Sequence, residues 1–85
     1  MTLREAPLGK RVRVVGFDSG RGLAARLAAL GVHVGEELTI LSEGPIGGPL
    51  LVELAASGSR VMLGRGMVGK IRVEPVAPPA TPDRP

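Results

Sequence analysis

Lys10-Arg11-Val12-Arg13-Val14-Val15-Gly16-Phe17 is the stretch on which the fold turns. Val12 and Val14 fall on one face and Arg11 and Arg13 on the other, the alternation of a strand with one side in a core and the other in water. The alternation changes phase at Val15 and Phe17, which predicts a bulge or bend at Gly16. Reading outward, the same period recurs in four more segments. Glu37–Glu43 turns Leu38 and Ile40 inward, and Leu50–Ala55 carries Leu50, Val52 and Leu54 on one face. Ser59–Gly64 has Val61 and Leu63, while Gly69–Glu74 sets Ile71 and Val73 against Lys70, Arg72 and Glu74. Five short strands joined by glycine-containing turns predict a mainly β fold, a small closed or partly closed barrel.

One segment breaks the period. Leu23, Leu27 and Leu30 stand at i, i+4 and i+7 with alanines between them, which predicts one short amphipathic α-helix covering an open end of the barrel. Asp18 or Ser19 is placed to accept bonds from its first amides, and Gly31 is placed to end it in a left-handed residue. Past Val76 prolines crowd the chain, at Pro78, Pro79, Pro82 and Pro85. Proline lacks the donor that a helix or strand needs, so residues 1–76 are expected to form the domain and 77–85 a disordered or extended tail.

At 85 residues the chain has room for one domain, and 44% apolar residues suffice for a thin core. There is no cysteine, hence no disulfide framework and no thiolate metal or redox site. Phe17 is the lone aromatic, which excludes stacking platforms for single-stranded nucleic acid. The net charge of +3 comes from arginines scattered singly, with no polybasic run. The start lacks a signal-peptide pattern and no stretch is long and apolar enough to span a bilayer, so the expected location is the cytoplasm.

Gly64-Arg65-Gly66-Met67-Val68-Gly69-Lys70 fits two phosphate-binding patterns at once, yet both need a helix to follow and Ile71-Arg72-Val73-Glu74 alternates as a strand. The stretch is read as a glycine-rich turn between two barrel strands. His33 is the single histidine. With Glu36 it forms a candidate for weak binding of a divalent transition metal, set against the reading of a solvated loop histidine. Hydroxyl residues are few and one histidine alone could serve them as base, so no enzyme is expected. Arg11, Arg13, Arg60, Lys70 and Arg72 could line outward strand faces and meet nucleic acid, but Glu53 and Glu74 interrupt them.

Some apolar residues exceed what an end plug requires. Leu23, Leu27 and Leu30 on the helix and Ile46 in the loop Pro45-Ile46-Gly47-Gly48-Pro49 either complete the core or expose a groove for a partner.

In order along the chain, Thr2-Leu3, Leu8-Gly9-Lys10-Arg11-Val12-Arg13-Val14, Leu23 through Leu30-Gly31, Val34-Gly35-Glu36-Glu37-Leu38, Pro45-Ile46-Gly47-Gly48-Pro49, Val61-Met62-Leu63 and Ile71-Arg72-Val73-Glu74 resemble the FeoA family. These are small accessory proteins of bacterial ferrous iron transport, whose domain also ends the DtxR-type repressors. Gly48 stands where the family loop usually has an acid. The resemblance implies an SH3-like barrel that works in the cytoplasm beside FeoB, a membrane permease with a G-domain, without catalysis and without inserting in the membrane. The helix and the loop are expected to form the partner surface, through Leu23, Arg26, Leu27, Leu30, Pro45, Ile46 and Gly47. Two other readings are a metal-responsive sensor domain and a nucleic-acid-binding barrel. Barrel edges and the apolar groove leave room for a homo-oligomer.

Overall fold

The computed structural model describes residues 1–18 and 21–76. Five antiparallel strands, β1 (Arg11–Phe17), β2 (Glu37–Glu43), β3 (Leu50–Leu54), β4 (Arg60–Leu63) and β5 (Ile71–Pro75), form one sheet in the order β4-β3-β2-β1-β5. Helix α1 (Arg21–Ala29) links β1 to β2, and a helical turn, α2 (Arg65–Val68), links β4 to β5. The alternation does what it predicts: Val12, Val14, Leu38, Ile40, Leu50, Val52, Leu54, Ile71 and Val73 all point into one apolar core. The phase change in β1 is a bulge, because its register against β5 slips between Val14 and Gly16. A second slip lies in β2, between Ile40 and Ser42.

The ends of the strands are shorter than the alternation alone suggests. Ala55 leaves β3 because the chain turns there, with the Gly58 N–H donating to the Leu54 carbonyl at 2.8 Å. The stretch expected as a glycine-rich turn between two barrel strands holds α2. Its flanking strands lie on opposite edges of the sheet, so the connection must cross over and a tight turn cannot span it. Met67 packs against the core and Val68 is buried in it, which gives this short helix its apolar side.

α1 also differs in detail. The Val32 N–H donates to the Leu27 carbonyl at 2.8 Å and the Gly31 N–H to the Ala28 carbonyl at 2.9 Å, the paired bonds of a Schellman ending, with Gly31 at φ 90°. The helix therefore closes one residue before Leu30. Leu27 and Val32 are both fully buried, while Leu30 has left the helical face and is 40% exposed. Of the two residues expected at its start, Asp18 accepts from Arg72 through its carboxylate at 2.9 Å; Ser19 and the tail 77–85 lie outside the described residues.

A 3-10 turn at Leu3–Glu5, unmarked by any periodicity, drops Leu3 into the core. The residues before it extend the sheet: the Val73 N–H donates to the Met1 carbonyl at 2.8 Å, and Thr2 bridges Arg72. The outer edge of β5 is thereby covered by the start of the chain.

Candidate functional site

The loop 44–49 between β2 and β3 is closed by two backbone bonds. The Gly44 N–H donates to the Pro49 carbonyl at 2.8 Å, and the Gly48 N–H to the Gly44 carbonyl at 3.3 Å. At its tip Ile46 and Gly47 have φ of 57° and 62°. Glycine accepts that conformation freely, whereas a β-branched residue is there only under constraint. Ile46 is also 93% exposed.

The constraint is visible. Arg65 at the start of α2 donates from its guanidinium to the Ile46 carbonyl at 3.3 Å, and Arg4 donates to the Arg65 carbonyl at 3.4 Å. Arg4 also lies 3.7 Å from the Glu43 carboxylate at the end of β2. The 3-10 turn, α2 and β2 together hold the loop. Neither Arg4 nor Arg65 stands out in the sequence, because each matters only through a contact with a segment distant along the chain.

Next to this clasp, α1 and α2 face each other across a cleft of about 460 Å³ lined by Gly22, Leu23, Arg26, Gly64, Gly66, Met67 and Lys70. The sequence places Leu23 and Arg26 with Ile46 on one surface, and the structure inserts α2 between them. Leu23 is half-buried, Arg26 and Pro45 are exposed, and Leu27 is inside the core, where it anchors α1 and offers nothing to the surface.

The cations of the strand faces are engaged. Arg13 lies 2.8 Å from Glu74 and 3.3 Å from Glu37, Arg11 3.5 Å from Glu37, Arg60 3.6 Å from Glu53, and Arg72 2.9 Å from Asp18. Its hydrogen bonds to Glu37 and then Glu74 raise the Arg13 pKa above the ordinary value of the group. Exposed pairs of this kind add little stability, but they neutralise the face and leave little free charge for a phosphate backbone. Among the described side chains, Lys10, Arg26 and Lys70 are the cations with neither an ion pair nor a side-chain hydrogen bond.

His33 and Glu36 open and close one tight turn, in which the Glu36 N–H donates to the His33 carbonyl at 3.0 Å. Among the described residues no third metal-ligating side chain joins them, so this turn supplies two donors where zinc takes three or four from protein.

Comparison with known proteins places this architecture. A model of the FeoA domain matches residues 1–75. A protein of Methanocaldococcus jannaschii, provisionally named Fe(2+) transport protein A, is 33% identical over 66 residues, 78% of this chain and 76% of the relative. The solution structure of the FeoA protein from Chlorobium tepidum aligns with a TM-score of 0.79 at 28% identity, over 91% of this chain and 71% of that one. FeoA of Stenotrophomonas maltophilia, solved in complex with zinc and described as a prokaryotic SH3 domain protein, aligns with a TM-score of 0.69 at 32% identity, over 87% and 89% of the two chains. The mainly β, SH3-like fold expected from the sequence is the fold observed.

Proposed function

This chain belongs to the FeoA domain family, and from that premise we propose that it is a non-catalytic accessory protein of ferrous iron transport that docks, from the cytoplasmic side, on a FeoB-type permease carrying a G-domain. The names of its relatives in iron transport support the process. The docking surface is the side where α1, α2 and the loop 44–49 stand together. Leu23, Arg26 and Leu30 contribute from the helix side, and Pro45, Ile46 and Gly47 from the loop, with Leu27 holding α1 from within.

Ile46 carries the reading. Its left-handed backbone costs about 1–2 kcal/mol, and its side chain recovers none of that by burial, since it stands in water. Three elements hold it there. A strained residue kept by its surroundings and presenting an apolar side chain is what a docking anchor requires. The lack of any activated nucleophile in the reading of the sequence supports the non-catalytic part.

The test is capture of the permease from gently solubilised native membranes on the tagged protein. Wild type is expected to retain it, and Ile46→Asp and Arg26→Glu, both at exposed positions, to lose it while keeping a wild-type circular dichroism spectrum. Undiminished capture by both variants would reject this surface. Failure of wild type to capture a permease that is present in the membranes would reject docking itself.

A further inference from the structure

We infer that the cleft between α1 and α2 receives an acidic peptide segment with apolar side chains beside its carboxylates. As a statement about the biological partner, this rests on the docking reading above and gives that partner's contact its chemistry. Among the described side chains, two of the three cations left without a partner, Arg26 and Lys70, line this one cleft, and no carboxylate does. They come from opposite sides of it, Arg26 from the middle of α1 and Lys70 from just past α2. Among the described side chains elsewhere, Arg4, Arg11, Arg13, Arg60 and Arg72 are paired with carboxylates and Arg65 with the Ile46 carbonyl, which leaves Lys10 as the third free cation. A concave surface with two free cations attracts an anion, and charge complementarity sets its sign and orientation.

The rest of the lining decides what kind of anion. Leu23 and Met67 are half-buried apolar side chains that pack on the core, and they form the apolar part of the cleft. A bare phosphate would leave them without a partner, while a leucine or valine beside a carboxylate would cover them. Methionine's flexible thioether adapts to such a side chain. Gly22, Gly64 and Gly66 carry no side chains, so a peptide backbone can come close to both walls. The volume of about 460 Å³ lies within the size range of ligand clefts. A phosphate-binding reading of Gly64–Lys70 lacks its physical basis, because α2 has only four residues and thus little dipole to offer.

The experiment uses the full 85-residue chain with methyl and amide NMR signals followed during titration. The probe is an acetylated, amidated Leu-Glu-Leu-Glu peptide, with Leu-Gln-Leu-Gln and sodium phosphate titrated in parallel. The acidic peptide alone is expected to give saturable shifts at the Met67 and Leu23 methyls and the Gly64 and Gly66 amides. Lys70→Glu, which leaves Ile46 and Arg26 in place, is expected to weaken that binding about tenfold or more with the spectrum otherwise intact. An equal response to the glutamine peptide or to phosphate would overturn the inference, as would shifts centred on the strand faces or indifference to Lys70→Glu. Loss of peptide binding in Lys70→Glu with permease capture unchanged would overturn the assignment to the partner while leaving docking through Ile46 standing.

Discussion

Ile46 and Gly48, two positions apart in one loop, carry opposite constraints. Ile46 has space and the wrong backbone; Gly48 has an ordinary backbone and no space. A Cβ added at Gly48 would stand 3.0 Å from the Pro45 carbonyl oxygen and 3.3 Å from the Gly44 carbonyl carbon, both rigid backbone atoms. An acid at this position, which the resemblance leads one to expect, would need the loop backbone to give by a few tenths of an ångström. We expect Gly48→Ala to lower the free energy of unfolding by about 1–3 kcal/mol, as overpacking does, measured by urea denaturation. Ile46→Asn should act in the other direction. Asparagine tolerates the left-handed region, so the same measurement should show a gain of roughly 1 kcal/mol, while permease capture falls. A variant that becomes more stable and less active would separate the strain of the loop from its use. Neither constraint is legible in the sequence, where both residues read as parts of a Gly/Pro loop. The clasp on Ile46 joins distant segments: its carbonyl accepts from Arg65, nineteen positions later, and the Arg65 carbonyl accepts from Arg4, forty or so positions before Ile46.

α1 shows how far periodicity reaches. Spacing alone marks Leu23, Leu27 and Leu30 as one face, and it correctly finds a helix and its terminating glycine. It does not reveal that the Schellman bonds close the helix early and hand the place of Leu30 in the core to Val32. Two leucines of equal standing in the pattern therefore differ in energy. Leu27→Ala should cost about 2–5 kcal/mol, the range for truncating a fully buried leucine. Leu30→Ala should stay within about 0.5 kcal/mol of wild type. Comparable losses from both would mean that Leu30 packs inward. The same limit explains α2. Four residues are too few for any period to register, and the need for a crossover is set by strand order, which local sequence does not carry. The strands were the most legible elements because each signals its buried face by itself. The cleft between α1 and α2 was the least, because its two walls are separated by most of the sheet in sequence.

At the scale of the molecule, the five-stranded sheet closes its β5 edge with the first residues of the chain. An uncovered strand edge invites pairing with another chain. Removing residues 1–5 would uncover β5 and also take Leu3 out of the core. We expect the shortened protein to be less stable by about 2–5 kcal/mol, on the loss of the leucine alone, and to self-associate with rising concentration in analytical ultracentrifugation. A monomer of unchanged stability would show that the opening residues are ornament. The pairing of Met1 with Val73, seventy-two positions later, also sets a schedule. A ribosome adds about 5–20 residues per second, so the first residue waits roughly 4 to 14 s before its partner has even been made. For that interval Leu3 and the neighbouring face of β1 have no finished sheet to enter. The nascent chain must stay unaggregated through its own synthesis, and the scattered arginines of β1, unpaired until Glu37 and Glu74 arrive, keep it charged while it waits.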